Sequence, residues 1–370
     1  MALILEEALT LEEIAVEGYE RVVKVSAPSV GLQAIICIHT TVLGPALGGT
    51  RIYPYATFEA ALEDVKRLSR GMTYKSAVAD ASWGGGKSVI IHDAKKGKSE
   101  SLLMAFGEAV NRLNGQYICA EDIGCTPSDM MTISKATPFV VGLVHPRSSG
   151  DPGPFTAWGT FRGIQSVIKK ITGSDSLEGK RVAIQGLGSV GARLAELLFW
   201  HGAKLILADI DQERAARLGA MYSAEVVSTD EILSTPCDVV APCAMGGILN
   251  ATSIAKLRCL AVAGCANNQL LKDTDADLLR KRGILYAPDF VINAGGLINV
   301  SHELLPEGYN PSSARDKTDK IYDQLLAIYA IADQNRISTH AAAIALGDYR
   351  LQYGLGKREV APCFHHAKIS

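Results

Sequence analysis

The sequence has almost no excess of charge of either sign. Among its 370 residues, 37 Lys and Arg stand against 39 Asp and Glu, which gives a net charge of −2. The basic residues are scattered, and no aromatic-rich basic stripe occurs. Because nucleic acids and anionic membrane surfaces attract concentrated positive charge, we expect neither of them as a partner.

Long hydrophobic runs are also lacking. No stretch approaches the ~18 consecutive uncharged apolar residues that a membrane-spanning helix needs. The first residues, MALILEEALTLEEIAVEGYE, are acidic where a signal peptide is basic. We therefore predict a cytoplasmic protein, whose 48% hydrophobic and 21% charged residues are typical of a compact globular chain.

The eight cysteines lack the spacing of a metal site. Structural zinc sites usually use closely spaced cysteine pairs, and disulfide frameworks belong to small secreted chains. Most of these cysteines lie at the ends of predicted buried strands, where a free Cys acts as a small hydrophobe. We therefore expect reduced, structural thiols and no metal site. The metal-like sequence CFHH at residues 363–366 is expected to belong to a frayed tail.

The chain is too long for one ordinary core, and its pattern changes before the middle. Residues 1–145 alternate strand and helix patterns, and the Gly-, Pro- and Ser-rich stretch HPRSSGDPGPF indicates a domain junction. From residue 179 the pattern becomes strictly strand–helix–strand, which predicts a parallel, doubly wound sheet. The predicted strands are 32–39, 89–92, 117–120, 182–185, 205–208, 238–241, 260–263 and 284–287, and the main predicted helices are 58–69, 101–113, 157–171 and 312–353.

Residues 181–209, RVAIQGLGSVGARLAELLFWHGAKLILAD, carry a dinucleotide-binding fingerprint. Gly186, Gly188 and Gly191 form G-x-G-x-x-G between a predicted strand and a helix, and Asp209 ends the next strand. The first glycine permits a tight turn, the second lets a pyrophosphate approach, and the third lets the helix pack on the strand. Asp209 would accept hydrogen bonds from the adenosine ribose and repel a 2′-phosphate, which favours NAD over NADP. The alternative is a glycine-rich turn of the same fold that binds another ligand or none.

Lys75 and Lys87 stand among small and apolar residues in GMTYKSAVADASWGGGKSVI, residues 71–90. Burial and a neighbouring cation both favour the neutral amine of a lysine, so two lysines in one pocket can divide two tasks. One would hold an anionic group of the substrate while the other acts as a base. Gly84–Gly86 would then leave room for a substrate beside Lys87. The pattern alone leaves equally open that both lysines are exposed and flank a flexible hairpin.

Two carboxylates end the predicted strand in YICAEDIG, residues 117–124. Glu121 or Asp122 at a strand end that faces a cleft is a natural proton shuttle. Capping of the next helix by one of these side chains is the rival explanation.

Several blocks in constant order resemble the glutamate/leucine/phenylalanine/valine dehydrogenase family, and the leucine-specific members give the best match. The resemblance runs from about residue 15 to residue 350. It implies a substrate-binding domain at residues 1–145, an NAD-binding Rossmann domain at 146–330, and a C-terminal helical segment at 331–370 that packs back on the first domain. The blocks are GPALGGTR (44–51), RGMTYK (70–75), GGGK (84–87), AEDIG (120–124), APCAMGG (241–247), AGCANNQL (263–270) and APDFVINAGGLINV (287–300).

The resemblance implies the reversible oxidative deamination of an L-amino acid to a 2-oxo acid and ammonium, with NAD as hydride acceptor. By matching motif, Lys75 would bind the substrate α-carboxylate, and Lys87 would be the base that activates water. Asp122 would move protons to and from the amino group. Gly48 and Gly49 would line the carboxylate site through their backbone, with Met72 packed nearby.

On the cofactor side, the resemblance assigns Thr156 to the nicotinamide amide and places Ala244 along the cofactor. Asn267 and Asn268 would contact the nicotinamide ribose and the substrate. Because the two reactants are held by different domains, closure of a cleft is expected to complete the site. The family also implies a homo-oligomer that acts on a small amino acid or 2-oxo acid.

The side-chain pocket implied by the resemblance is apolar. Leu47 replaces the lysine with which glutamate-specific members meet a distal carboxylate, which excludes glutamate. Together with Ala120, Leu297 and Val300 it favours a branched-chain amino acid, although the bulk of Leu297 leaves an aromatic substrate open. An inactive NAD-binding relative used for sensing is disfavoured because the three catalytic side chains are all present.

Overall fold

The computed structural model describes residues 9–145 and 148–368, and these residues form two compact units. The first unit holds the described residues up to 151, together with 300–311 and 349–368. The second unit holds 152–299 and 312–348. Compared with the predicted division, the structure assigns 300–311 to the first unit and 331–348 to the second. None of the described helices has the length and apolarity to cross a membrane.

The first unit is built on a mixed six-stranded sheet of order β1-β2-β3-β5-β4-β6. Strands β1, β2, β3 and β5 pair antiparallel, whereas β4 runs parallel to both β5 and β6. The elements are β1 (Thr10–Glu13), β2 (Arg21–Ala27), β3 (Leu32–Thr40), β4 (Ala46–Tyr53), α1 (Phe58–Val78), β5 (Gly84–Ile91), α2 (Glu100–Arg112), β6 (Tyr117–Glu121) and α3 (Pro127–Ile133).

Helix α1 is longer than its sequence pattern predicts and carries Lys75 in its last turn. The Thr57 side chain accepts a hydrogen bond from Ala60 N and caps the N-terminus. Its buried residues recur at helical spacing and continue through Thr73 to Val78. The hairpin alternative is therefore wrong, because Lys75 lies on a helix and Lys87 lies within β5.

Three strands of the first unit escaped prediction. β4 contains a glycine pair, Gly48-Gly49, and glycines usually mark turns or bulges rather than a strand interior. β1 is short and largely exposed, and no strand was predicted for the segment that forms β2. Each of these segments pairs with at least one neighbouring strand, and this pairing stabilises it.

The second unit contains a six-stranded sheet that is parallel throughout, of order β12-β11-β10-β7-β8-β9. The predicted doubly wound sheet is confirmed, and the strand order reverses between β7 and β10. The elements that lie in this unit wholly or for the greater part are α4 (Gly153–Thr172), β7 (Arg181–Gln185), α5 (Ser189–Trp200), β8 (Lys204–Ala208), α6 (Gln212–Tyr222), β9 (Glu225–Val226), β10 (Val239–Pro242), α7 (Ala251–Lys256), β11 (Ala261–Val262), α8 (Asp275–Lys281), β12 (Leu285–Tyr286), α9 (Asp289–Ile292), α10 (Gly295–Ser301), α11 (Pro311–Asp319), α12 (Ile321–Asn335) and α13 (Thr339–Tyr353).

The C-terminal residues pack on the first unit, so the prediction of a frayed tail is wrong for the described part. Arg358 lies over the Trp83 ring, with 3.7 Å between the guanidinium carbon and the ring centroid. Further along, His365 Nε2 lies 2.8 Å from the carbonyl oxygen of Leu305. All eight cysteines are free thiols. Within residues 9–145 and 148–368, no group of three or more His, Cys, Asp or Glu residues could hold a metal ion.

Candidate active site

Lys87 and Asp122 form a buried ion pair in the first sheet. Lys87 lies on β5, and Asp122 follows directly after β6. The Nζ atom of Lys87 lies 3.0 Å from Oδ2 of Asp122, and the two side chains are 8% and 21% exposed. Strand β4 pairs with both strands and so brings the two side chains together. The two residues predicted to be catalytic are therefore in direct contact.

Helix capping does not explain the carboxylate of Asp122. The helix that follows, α3, is capped by Thr126, whose side chain accepts a hydrogen bond from Asp129 N. The Asp129 side chain accepts in return from the Thr126 backbone, which completes a capping box. Asp122 therefore does not cap this helix, and its carboxylate forms the ion pair with Lys87.

Two residues that the sequence analysis did not single out, Arg51 and Asp64, extend the ion pair. Arg51 Nε donates to Oδ2 of Asp122 over 3.0 Å, and Arg51 Nη1 donates to Oδ2 of Asp64 over 2.9 Å. Asp64 lies on α1 and also accepts a hydrogen bond from the Tyr55 hydroxyl. The available signal was that Arg51 follows Gly49 by two residues on β4, which places both on one face of the sheet.

The environment of Lys87 favours loss of its proton. Burial is the main cause that lowers the pKa of Lys87, and the nearby Arg51 guanidinium acts in the same direction. Asp122 opposes both, but the pKa stays below the usual lysine value of 10.5. A lysine held in this way can serve as a general base.

The environment of Asp122 favours its charged form. Burial alone would raise the pKa of this carboxyl, but the Lys87 and Arg51 cations outweigh burial and lower it below the usual value of 3.8. The carboxylate is therefore ionised at neutral pH and can accept a proton from a substrate group.

The glycine run before Lys87 is filled by protein atoms. A Cβ at Gly85 would lie 1.9 Å from Oγ1 of Thr73, and one at Gly86 would lie 2.7 Å from the Tyr117 ring. One at Gly84 would meet backbone oxygens at 2.3 and 2.6 Å. The prediction that these glycines leave room for a substrate is wrong, because they let α1 and the neighbouring strands approach β5.

Gly49 is required by the ion pair itself. A Cβ there would lie 2.6 Å from the backbone oxygen of Glu121, 2.8 Å from Cβ of Asp122 and 3.0 Å from Nζ of Lys87. The preceding Gly48 is equally constrained, because its Cβ would lie 1.7 Å from a carbonyl oxygen of β5. Both glycines lie beside the predicted catalytic pair; their contact with a substrate carboxylate stays a prediction.

A buried hydroxyl network supports β4 and β5. The Tyr117 hydroxyl donates to the Gly48 carbonyl oxygen over 2.9 Å, and its oxygen lies 3.0 Å from the Ser88 hydroxyl. The Ser88 hydroxyl donates in turn to Thr50 Oγ1 over 3.0 Å. These three side chains are fully buried, so the network ties β4 and β6 to β5 at Ser88, the residue that follows Lys87.

Lys75 and Met72 lie on the helix that packs against the strand of Lys87. Both side chains are half-buried. The neighbouring Thr73 fits against Gly85, so α1 covers the sheet face on which Lys87 lies. This placement agrees with a shared pocket, and the binding of a substrate carboxylate by Lys75 stays a prediction.

Leu47 and Ala120 lie on that same face. Leu47 pairs with Gly85 of β5, and Ala120 pairs with Gly49 of β4. Leu47 is only 1% exposed. Of the other two predicted pocket residues, Leu297 lies on α10 in the second unit and is 8% exposed, and Val300 is half-buried in the first unit.

The glycine fingerprint lies between β7 and α5, as predicted. Gly186 has a φ of +94°, and a Cβ there would lie 2.6 Å from Cβ of Ala244. A Cβ at Gly191 would lie 1.9 Å from the Gly186 carbonyl oxygen, so this glycine permits the close packing of α5. At Gly188, by contrast, no heavy atom lies within 4 Å of the added Cβ. The open side of this loop fits a pyrophosphate that approaches the N-terminus of α5.

Asp209 lies at the end of β8 and is bonded to the glycine loop. Its Oδ2 accepts a hydrogen bond from Leu187 N over 2.5 Å, and its Oδ1 accepts one from Asp211 N over 2.8 Å. The carboxylate is 6% exposed and lies 3.9 Å from Arg214. Asp209 therefore orders the loop that would hold the cofactor phosphates, a role that the sequence analysis did not foresee.

The other predicted cofactor contacts all lie in the second unit. Thr156 is in the first turn of α4, and its hydroxyl donates to the Pro152 carbonyl oxygen over 3.0 Å. Asn267 Oδ1 accepts a hydrogen bond from Asn293 over 2.8 Å, and Asn268 adopts a left-handed conformation with φ of 52°. These polar groups and the open glycine loop fit an NAD molecule, and their individual contacts stay predictions.

Comparison with known proteins agrees with this arrangement. The family model described as "Glu/Leu/Phe/Val dehydrogenase, dimerisation domain" matches residues 19–138. The model "Glutamate/Leucine/Phenylalanine/Valine dehydrogenase" matches residues 151–212 and 206–347. Together these matches include both units.

Individual relatives are similar over almost the whole chain. A leucine dehydrogenase of Thermoactinomyces intermedius is 48% identical over 336 residues, 90% of this chain and 91% of the relative. An L-tryptophan dehydrogenase of Nostoc punctiforme is 44% identical over 344 residues, 93% and 96% of the two chains. The crystal structure of L-tryptophan dehydrogenase from that organism superposes with a TM-score of 0.81 at 42% identity, over 95% of this chain and 99% of the other. The chain therefore belongs to the glutamate/leucine/phenylalanine/valine dehydrogenase family and is an NAD-dependent amino-acid dehydrogenase.

Proposed function

We propose that the protein catalyses the reversible oxidative deamination of a branched-chain L-amino acid: leucine, valine or isoleucine. The reaction converts the amino acid, NAD+ and water to the 2-oxo acid, ammonium, NADH and a proton. The observation that carries the proposal is the Lys87–Asp122 pair, a lysine with a lowered pKa in contact with an ionised carboxylate, on a sheet face shared with Leu47.

Each side chain has a task in this reaction. Lys75 holds the substrate α-carboxylate as a cation, and Asp122 takes the proton that leaves the amino group. When bound, NAD+ accepts the hydride from the substrate Cα. Lys87 then removes a proton from the water that attacks the resulting imine carbon, and Asp122 returns its proton to the nitrogen of the adduct. The C–N bond breaks as the carbonyl forms, and the hydroxyl proton of the adduct passes to the departing ammonia, which leaves as ammonium. Because Lys87 acts in its neutral form, the rate rises as the pH rises through its lowered pKa.

The apolar pocket supports a branched-chain substrate. Leu47 offers no partner to a distal carboxylate, so glutamate would leave a charge unpaired in an apolar site. The 48% identity to a leucine dehydrogenase agrees with this choice. An aromatic substrate is the second candidate, supported by the bulk of Leu297 and by the 44% identity to an L-tryptophan dehydrogenase. Differences of one methylene change such preferences by only about 1–3 kcal/mol.

We also propose that the enzyme is a homo-oligomer in the cytoplasm. The description of the first matching family model as a dimerisation domain supports self-association. Size-exclusion chromatography with light scattering tests this proposal, and a monomer at working concentration would contradict it.

The test of the function is a scan of the L-amino acids with NAD+, followed through NADH absorbance at alkaline pH. We expect leucine, valine and isoleucine to give the highest kcat/KM. Highest turnover on phenylalanine or tryptophan would replace the branched-chain assignment with the aromatic one, and no turnover on any amino acid would refute both. NADP+ outperforming NAD+ would contradict the role given to Asp209.

A further inference from the structure

Arg51 lies between two carboxylates and contacts the one that is predicted to move protons. Its Nε atom donates to Asp122, and its Nη1 atom donates to Asp64. The Arg51, Asp64 and Asp122 side chains are 16%, 17% and 21% exposed. A guanidinium can bridge two carboxylates in fixed directions, which an ammonium group cannot do.

Both cations that contact Asp122 use the same carboxylate oxygen. Arg51 Nε and Lys87 Nζ each lie 3.0 Å from Oδ2. In the described part of the chain, no donor is hydrogen-bonded to Oδ1. The two oxygens of one carboxylate are therefore unequal: Oδ2 is held by the protein, and Oδ1 remains to exchange a proton with a bound substrate.

The charge balance makes Arg51 necessary when Lys87 works as a base. Once Lys87 is neutral, Asp122 is a largely buried carboxylate that has lost one of its two cations. A buried charge without a partner is strongly destabilised. Arg51 keeps its charge throughout, because the positions of Asp122 and Asp64 on either side of it favour the guanidinium cation. It can therefore hold Asp122 ionised and in place in both states of Lys87.

We propose that Arg51 is a positioning residue of the deamination reaction, which fixes Asp122 through Oδ2 so that Oδ1 exchanges the proton with the substrate amino group. Asp64 holds the other end of Arg51, and the Tyr55 hydroxyl holds Asp64 in turn. This inference rests on the proposed function, because it assigns a partner to the Asp122 of that mechanism.

Electrostatics gives the proposal a second, measurable consequence. The charged groups that act on Lys87 are Asp122, Arg51 and Asp64, and among these Arg51 is the cation. Loss of the Arg51 charge removes a repulsion and leaves the attraction of both carboxylates, so the pKa of Lys87 rises. The acid limb of the kcat/KM profile, where Lys87 loses its proton, therefore moves to higher pH.

The test compares Arg51→Gln and Arg51→Lys with the wild-type enzyme in leucine oxidation as a function of pH. For Arg51→Gln we expect kcat to fall about 100-fold, because a displacement of the Asp122 carboxylate by about 1 Å lowers the rate by about that factor. The KM for leucine should change little, since Lys75 is untouched, and the acid limb should move to higher pH. Arg51→Lys keeps the positive charge but lacks the planar guanidinium group that binds both carboxylates. The acid limb should therefore lie near its wild-type pH, while kcat should be only partly recovered relative to Arg51→Gln.

Arg67→Gln is the matched control. Arg67 donates to the other oxygen of Asp64 over 3.0 Å and its side chain is 60% exposed. The substitution removes one guanidinium charge from Asp64, the carboxylate that also binds Arg51, without touching Asp122. It should leave kcat and the pH profile as in the wild type. An equal loss in Arg67→Gln would refute the proposal, because the effect would then belong to Asp64.

Folding is checked for every variant by thermal unfolding, and NAD+ binding is checked by titration. An Arg51→Gln enzyme that is folded and has wild-type kcat at every pH would overturn the inference, as would a loss confined to KM. If Arg51→Gln does not fold, a folded Arg51→Lys with wild-type kcat overturns it equally. A wild-type enzyme without amino-acid turnover would refute the proposed function instead, so the two failures are distinguishable.

Discussion

In the first unit the predicted base, Lys87, lies within the sheet, whereas in the second unit the glycine fingerprint lies beyond a strand end. Lys87 is the fourth residue of β5, and its charge is balanced by Asp122 and by the Arg51–Asp64 pair on neighbouring elements. In the second unit the largely buried carboxylate of Asp209 is bonded to the fingerprint loop, and the defining feature of this loop is that Gly188 faces open space.

The difference shows two ways of preparing a site before a ligand arrives. In the first unit, charged side chains are buried and held by one another, so their positions and pKa values are set in advance. In the second unit, the glycines of the loop have no side chains, so a phosphate can approach the backbone N–H groups and the N-terminus of α5. Glycines serve both, but Gly49 makes room for protein atoms and Gly188 makes room for a ligand.

The strongest way to break this comparison is Lys87→Ala. We expect turnover of leucine to fall by at least about 100-fold, because general-base catalysis contributes that much or more. NAD+ affinity should stay near the wild-type value, since the fingerprint lies in the other unit. Lys135→Ala, at an exposed lysine paired with Glu100, is the control and should keep full activity. If Lys87→Ala keeps most of its activity, the base has been assigned to the wrong residue.

Gly49→Ala tests whether the ion pair requires its neighbour to lack a side chain. The new methyl group would meet Glu121, Asp122 and Lys87 at 2.6 to 3.0 Å. Displacement of the pair by about 1 Å should lower kcat about 100-fold, and overpacking should cost about 1–3 kcal/mol of unfolding free energy. Steady-state kinetics and thermal unfolding measure the two effects. Wild-type values for both would contradict the described packing.

Gly188→Ala should have the opposite signature. No heavy atom of the protein lies within 4 Å of the new methyl group, so thermal stability should not change. A methyl group pressed against the pyrophosphate would cost about 1–3 kcal/mol, or about 10-fold or more in the Kd for NAD+. Isothermal titration calorimetry measures the affinity. Unchanged NAD+ binding would show that the pyrophosphate does not approach this glycine.

Arg358→Ala is expected to have the smallest effect. Arg358 covers the Trp83 ring, and Trp83 belongs to the turn that connects the helix of Lys75 to the strand of Lys87. Loss of this cation–π contact should cost about 0.5–2 kcal/mol of unfolding free energy. Thermal unfolding should show the loss, while the KM for NAD+ stays unchanged. Arg358→Lys should recover part of the stability, and a failure to recover any would argue against a role for the charge.

Local patterns predicted every strand of the second unit except β9, but only three of the six strands of the first. In β7, β8 and the glycine loop, the short-range order strand–turn–helix–strand–acid is itself the signal, so the Rossmann fold was predicted correctly; the contact of Asp209 with a cofactor ribose stays a prediction. The β4 strand was not predicted because it contains the glycine pair Gly48-Gly49. The lack of side chains at these two positions is explained by atoms of β5 and by Glu121 and Asp122, which are distant in sequence. For the same reason Gly84–Gly86 were wrongly predicted to leave room for a substrate, because the protein atoms that fill this space are not visible in the local sequence.

The sequence by itself determined that a dinucleotide fold is present and that Lys75, Lys87 and Asp122 are the side chains to examine. These two conclusions depend on residue type and on spacing along the chain, whereas the apolar substrate pocket around Leu47 is a prediction that the family resemblance implies. Only the tertiary structure decided that Lys87 and Asp122 touch, that Arg51 shares their carboxylate oxygen, and that Asp209 binds the glycine loop. The physical reason is that charge interactions and steric limits depend on distances through space, and the pairing of β4 with β5 and β6 sets those distances.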